Sequence, residues 1–315
     1  MSKKIGMYLC IMVILLCGMK QETHAEEIMK HGKFEYSYTK DGSVKIIRYT
    51  GKAKKVVVPS KINGKKVRYL GEAFYKNKKV EKVKLPEGLL NVSGFEKCSN
   101  LKEINIPKSV VSIDSFAFKD CKKLKKIKLP KKLKEIGDYA FYNCCSLKEI
   151  DIPNNVKSIQ QDAFAYCSKL EKVKLPKKLT YIDWDTFQYC KSLKSIVIPE
   201  GVTVIEDNAF DLCESLEQVV LPESLVSINW GAFSNCGIKE ITIPQNVKEL
   251  GLYAFSGCEN LTNITILSTT IEEVDKSAFY CGDNLVIDVL DSCIKKYEEM
   301  LYSNVDEDEK LFVIK

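Results

Sequence analysis

Residues 122–148 read KKLKKIKLPKKLKEIGDYAFYNCCSLK. Leu124, Ile127 and Leu129 alternate with lysines, and Pro130 follows at once. A second apolar pair, Leu133 and Ile136, comes next, then Ala140-Phe141 and Cys144. The same order of residue types returns along most of the chain, as L-x-x-I-x-[LI]-P-x-x-[LV]-x-x-I-x-x-x-A-F-x-x-C-x-x. All nine prolines (59, 86, 107, 130, 153, 176, 199, 222 and 244) fall at its proline position, the last six intervals being 23, 23, 23, 23, 23 and 22 residues. Ten of the thirteen phenylalanines keep the beat: 74, 95, 118, 141, 164, 187, 210, 233, 255 and 279. So do cysteines 98, 121, 144, 167, 190, 213, 236, 258 and 281. A fixed period of this length marks one small unit stacked many times, displaying a surface rather than enclosing a centre.

The first half of each unit suits a short strand, because its apolar residues are mostly Ile, Val and Leu. Proline cannot donate a ladder hydrogen bond, so it ends the strand and turns the chain. The Leu133–Ile136 piece points a second apolar pair inward, and A-F-x-x-C closes the coil. The expectation is a parallel sheet, each strand beside its copy in the next coil, with about ten coils making a body roughly 50 Å long.

The unit resembles the BspA-type leucine-rich repeat, a family found on bacterial and some protist surfaces. The resemblance implies a β-rich solenoid of short, about 23-residue period, with an N-terminal β-hairpin cap and a C-terminal α/β cap. Residues 33–73 are similar to the family's N-terminal cap, and Asp41-Gly42 lies between two alternating runs as a hairpin turn does. Ser292 to Ser303 is expected to be helical and Leu311 to Ile314 extended. The expected organisation is a signal peptide (1–25), an N-terminal cap and first partial repeat (26–73), the solenoid (74–284) and a C-terminal cap (285–315). The repeat sets aside the two domains that 315 residues otherwise suggest at about 150 per domain.

Departures from the consensus cluster near the ends. Asn77 takes a cysteine position, where its amide can bond to loop backbone. The Pro86 coil is two residues short, and Leu267 stands where a proline belongs. A finer period also runs through the stack. Leu-Pro at 86, 130, 176 and 222 alternates with Ile-Pro at 107, 153, 199 and 244. Either interlocking of two complementary coil shapes or duplication of a 46-residue pair leaves this mark.

Lys3 and Lys4, an apolar run from Ile5 to Met19 and the small-residue pattern Thr23-His24-Ala25 read as a secretory signal cleaved after Ala25. The formal charge is +6, and +4 once three lysines and one glutamate leave with residues 1–25. That is too mild to argue for nucleic acid. No second apolar span follows, so the expected location is secreted or at the cell surface, without a membrane span.

Odd cysteine usage in a secreted chain raises the question of disulfides. Nine cysteines in strict register read better as an interior column of thiols, with Cys145 the most exposed. Metal binding needs clustered ligands, and none are spaced for it. The phenylalanines read as core. No G-x-S-x-G, H-E-x-x-H or phosphate-binding loop is present, and His31 is the one histidine left after signal removal. No cofactor, metal or catalytic residue is expected.

The outward strand positions carry the functional reading. Lys82/Lys84, Glu103/Asn105, Lys126/Lys128, Glu149/Asp151 and Lys172/Lys174 alternate in sign, as a charge ladder between neighbouring strands does. The next four coils present Ser195 and Val197, Gln218 and Val220, Glu240 and Thr242, Asn263 and Thr265, a face of lower charge. Trp184 and Trp230, the only tryptophans, share one phase in this half. These ten residues are the candidate partner-binding set, edge packing of the tryptophans being the alternative. The resemblance implies adhesion to host or neighbouring-cell proteins. A structural spacer without a ligand is the second reading, and an enzyme the least favoured.

Overall fold

The computed structural model describes residues 27–272, 274–281, 285–302 and 312–315. The signal-peptide reading of residues 1–25 lies outside them. Each repeat makes one turn of a solenoid of about eleven turns. No single turn can shield its apolar side chains, so the core is one continuous column running from Tyr36 to Leu301.

The N-terminal cap is a five-stranded sheet ordered Met29–His31, Phe34–Tyr38, Val44–Tyr49, Lys65–Leu70 and Lys61–Ile62. Its first three strands pair antiparallel, and Val44–Tyr49 then pairs parallel with Lys65–Leu70, handing the hairpin over to the stack. The hairpin turns where the sequence places it. Gly42 has φ +73°, open to glycine without steric cost. The Asp41 carboxylate accepts from Ser43 N (3.0 Å) and from the Ser43 and Thr39 hydroxyls. Those bonds, Ser43's first, hold its carboxyl down at about 2.

Two strand columns run along the solenoid. The longer strands end before the prolines, and the two-residue strands follow them, as at Glu135–Ile136. The first column is not the continuous sheet expected from the repeat. Lys55–Val57, Lys82–Lys84 and Glu103–Asn105 form one ladder, residues 126–128 pair with neither side, and Glu149–Asp151 then pairs with Lys172–Lys174. Ser195–Val197 pairs with Gln218–Val220, and Glu240–Ile243 with Asn263–Ile266. No ladder joins these pairs to one another among the described residues. From residue 149 onward, the first-column strand of an Ile-Pro coil therefore pairs with the strand of the coil after it and not with that of the coil before, while the two-residue strands still link coils on both sides. The Leu-Pro/Ile-Pro alternation is thus a structural period. Ile150, Ile196 and Ile241, central in the Ile-Pro strands, are buried, whereas Val173 and Val219 in the Leu-Pro strands are half-buried.

The A-F-x-x-C segment forms the third side. Phenylalanine rings from 74 to 279 stack face to face with centroids 4.9 to 6.4 Å apart and planes within 15°. That spacing is near the strand separation, which is why one ring per coil suffices. Backbone bonds run between coils, as Phe118 N to Ala140 O (2.7 Å) and Phe141 N to Ala163 O (2.8 Å).

At the C-terminal end, a short 3₁₀ turn (Asp291–Cys293) leads into the helix Ile294–Tyr302 and is followed by the strand Phe312–Ile314, parallel to Leu285–Val289. Tyr297 is buried and donates its hydroxyl to Ser268 O at 3.0 Å, tying the helix to the last coil. Leu267, at the proline position, donates its N–H to Ile243 O at 3.0 Å, a bond proline cannot make.

Candidate partner-binding face

The strand face is set by alternation. In each three-residue strand the middle side chain enters the core, and its neighbours point out. Parallel register then places outward residues side by side: Ser195 against Gln218, Val197 against Val220, Glu240 against Asn263 and Thr242 against Thr265. Val220, Glu240, Thr242, Asn263 and Thr265 line one shallow recess of about 390 Å³, together with Val219, Leu221 and Pro244. Val197 is 63% exposed and Val220 55%. Covering what remains open of each is worth roughly 1 kcal/mol in apolar transfer.

The other half of the same face is occupied by its own charges. Lys82 Nζ meets Glu103 at 2.7 Å, Lys126 meets Glu149 at 3.6 Å, and Lys174 meets Asp151 at 3.6 Å. These are exposed pairs of small individual worth. They cancel the field of a lysine-dense strand face, as the alternation of sign predicts. A broad recess of about 790 Å³ opens over this half, beside the unpaired segment 126–128.

Trp184 and Trp230 do not join this face. Both are about half exposed, beside the two-residue strands. Trp184 Nε1 donates to Glu206 at 3.2 Å, and Trp230 meets Tyr253 edge-on at 5.9 Å. Trp230 lines a separate recess with Leu252, Asp207, Glu249 and Asp275, which contains none of the eight strand-face residues. The ten candidates thus divide into one contiguous strand surface and two tryptophans packed against neighbouring coils.

The cysteine column does more than fill space. Each in-register thiol donates to the phenylalanine carbonyl of the preceding coil, from Cys98 to Phe74 O (3.0 Å) through Cys190 to Phe164 O (3.3 Å) to Cys281 to Phe255 O (3.1 Å). A small, apolar residue with one weak donor is what this position needs, and cysteine supplies it. The described cysteines are free thiols. Burial pushes Cys98 and Cys167 up to about 12. The thiolate is the reactive form, so these two buried thiols are expected to be unreactive at neutral pH. Iodoacetamide on the native protein is expected to modify Cys145 first and Cys281 next, with the rest of the column labelling only in denaturant. Rapid native labelling of Cys144 or Cys167, read by peptide mass, would contradict this. At the irregular position, Asn77 Oδ1 accepts from Lys79 N (3.0 Å) and Val80 N (3.1 Å), as expected, though the side chain is half-buried.

One surface was missed by strand-face reasoning. Phe116, Tyr139, Tyr142, Tyr166 and Tyr189 form a continuous run of rings along the turn edge, with centroid steps of 5.2, 5.5, 5.1 and 4.5 Å. They occupy three different phases of the repeat, so no single column shows them. The available signal was two pairs spaced by the period, 116/139 and 166/189.

Among the described residues, no group of three or more His, Cys, Asp or Glu is arranged to hold a metal ion, and no helix is long and apolar enough to cross a membrane.

The model of the BspA type leucine-rich repeat region matches residues 90–214 and 185–307, in six copies. A leucine-rich repeat protein from Bacteroides ovatus ATCC 8483 is similar at 32% identity and TM-score 0.73, over 83% of this chain and 70% of that one. The Treponema pallidum leucine-rich repeat protein is similar at 28% and 0.51, over 75% and 91%. A leucine-rich cell surface protein from Faecalibacterium prausnitzii A2-165 is similar at 25% and 0.52, over 85% and 72%. No curated protein matches. With the repeat unit, the solenoid and the family model in agreement, the chain belongs to the BspA-type leucine-rich repeat family.

Proposed function

We propose that the chain is a secreted or cell-surface, non-enzymatic protein that binds another protein, in the manner of an adhesin, through its exposed strand face. The observation that carries this reading is the change along that face. Between residues 82 and 174 three ion pairs bridge outward strand positions, whereas Val197 and Val220 stand adjacent and open beside a recess lined by Glu240, Thr242, Asn263 and Thr265. Apolar residues ringed by mostly polar ones form the usual core and rim of a protein contact. Residues 1–25, with their apolar run and Ala25 terminus, support export. The cell-surface relative from Faecalibacterium prausnitzii is consistent with such a location.

Val197→Asp combined with Val220→Asp tests the face. Capture of a partner from host or neighbouring-cell surface extract is expected to fall at least tenfold, about 1.4 kcal/mol or more, with melting unchanged because both side chains point outward. Undiminished capture by the folded double variant removes this face from the account. A spacer role, the second reading, draws on the self-paired charges of the other half, and self-association with no captured partner supports it.

A further inference from the structure

We propose that the aromatic run on the turn edge is a second binding surface, and that it takes the lysine or arginine side chains of a basic peptide segment.

The run already holds two cations of its own, Lys191 at 5.7 Å from the Tyr189 ring centre, where it is also paired with Glu214, and Lys119. Lys119 Nζ lies 5.2, 4.6 and 4.9 Å from the ring centres of Phe116, Tyr139 and Tyr142. These distances are those of cation–π contacts. The opening that admits it is the tilted junction of Tyr139 and Tyr142, whose planes meet at 53°. One coil further on, Tyr142 and Tyr166 meet at 46° with centroids 5.1 Å apart. That second junction is tilted to a similar angle, and among the described residues no lysine ammonium is seated on Tyr166.

What lies beside it is negative. Tyr166 is within electrostatic reach of Asp162, Asp185 and Asp211, one carboxylate from each of three successive coils. Asp162 is nearly buried and is bonded by Tyr139 and Gln161. Asp211 accepts from Asn235 Nδ2 at 3.2 Å and from Gln188 Nε2 at 3.4 Å. Asp185 is bonded by Asn208, and burial, with the charges of Asp162, Asp211 and Asp207 around it, raises its carboxyl to about 6. Asp162 and Asp185 share one phase of the repeat, so stacking sets them one coil apart, and with Asp211 near both a cation from outside relieves like charges. Aromatic rings beside carboxylates bind ammonium and guanidinium groups. A flat sugar is less well served, because Tyr166 and Tyr189 cover one another's faces at 4.5 Å and 10°.

The protein carries a formal charge of +6. A basic probe is therefore repelled by the molecule as a whole, so its binding reports a local acidic site. The surface is separate from the strand face, and its test stands apart from that of the proposed function.

Fluorescence anisotropy of the full-length protein with labelled, acetylated pentalysine amide tests the proposal, with pentaglutamine amide as the neutral probe. Pentalysine is expected to bind at least tenfold more tightly than pentaglutamine. The double variants Tyr166→Asn/Tyr189→Asn and Asp185→Asn/Asp211→Asn are each expected to weaken it about tenfold. Asparagine suits Tyr166 and Tyr189, whose φ values are +61° and +59°, because Asn143 and Asn235 hold the same position in other coils at +56° and +55°. Tyr166→Phe/Tyr189→Phe keeps the rings and is expected to bind like wild type, so a merely misfolded asparagine variant is recognised. Three results overturn the proposal. One is no preference of the wild type for pentalysine. Another is an equal loss on Glu103→Gln/Glu149→Gln, far from the run, which would reduce the effect to bulk charge. The third is binding of a neutral β-linked tetrasaccharide in place of the peptide.

Discussion

Phe187→Ala is expected to cost about 3–5 kcal/mol of unfolding free energy, the range for deleting a fully buried aromatic. Phe187 has no exposed surface and stacks between Phe164 at 5.5 Å and Phe210 at 5.4 Å. The cavity cannot close by local collapse, because backbone bonds on both sides hold the coil spacing: Phe164 N to Thr186 O (2.9 Å) and Phe187 N to Ala209 O (2.9 Å). Two aromatic contacts vanish as well, each worth about 0.5–1.5 kcal/mol beyond area. In a solenoid only nearest neighbours couple the halves. Urea unfolding followed by circular dichroism is therefore expected to show an earlier and less cooperative transition. A loss below about 1 kcal/mol would mean that the ring column is not the spine of the fold.

The second large effect is expected at a glycine. Gly94→Ala places a methyl group 2.1 Å from Gly71 O and 2.7 Å from Ala73 N, with φ at +80°. Backbone atoms cannot swing aside, so the coil must shift, at a cost of about 2–4 kcal/mol. Gly88→Ala, with φ +102° and nothing within 4 Å, pays only for backbone conformation, about 1–2 kcal/mol. The two variants therefore separate close approach from dihedral strain. Equal melting shifts would show that Gly94 is kept for its φ alone. The position has a cause in the sequence. The Pro86 coil is two residues short ahead of its phenylalanine, and Gly94 makes the tight turn that the shortening requires.

The repeat carries most of the fold in its residue pattern. Proline, phenylalanine and cysteine recur at positions whose demands they suit, with Leu267 and Asn77 as exceptions near the ends, so their phases mark the coil, the core column and the outward positions. The alternation of Ile-Pro and Leu-Pro also pointed to a paired unit, and the strand pairing from Glu149 onward follows it. The interruption at residues 126–128 was not readable, because those lysines and Ile127 match the consensus as well as any paired strand. Nor were the left-handed residues before the cysteines, where Tyr166, Tyr189 and Leu212 stand at φ near +60°. Stacking and inter-coil hydrogen bonds override local preference there. The same override gathers Phe116 and the tyrosines, from three phases, onto one edge. Of the candidate residues, the eight strand positions were placed by simple alternation. The tryptophans were not, since their phase alone does not say which side of the turn they occupy.

Photo-cross-linking from single positions tests the binding account most directly. A benzophenone amino acid at Val197 or Val220 is expected to capture a surface-protein partner that the same group at Val57, equally exposed on the first ladder, does not. Cross-links from position 57 alone, or equally from all three, would contradict it.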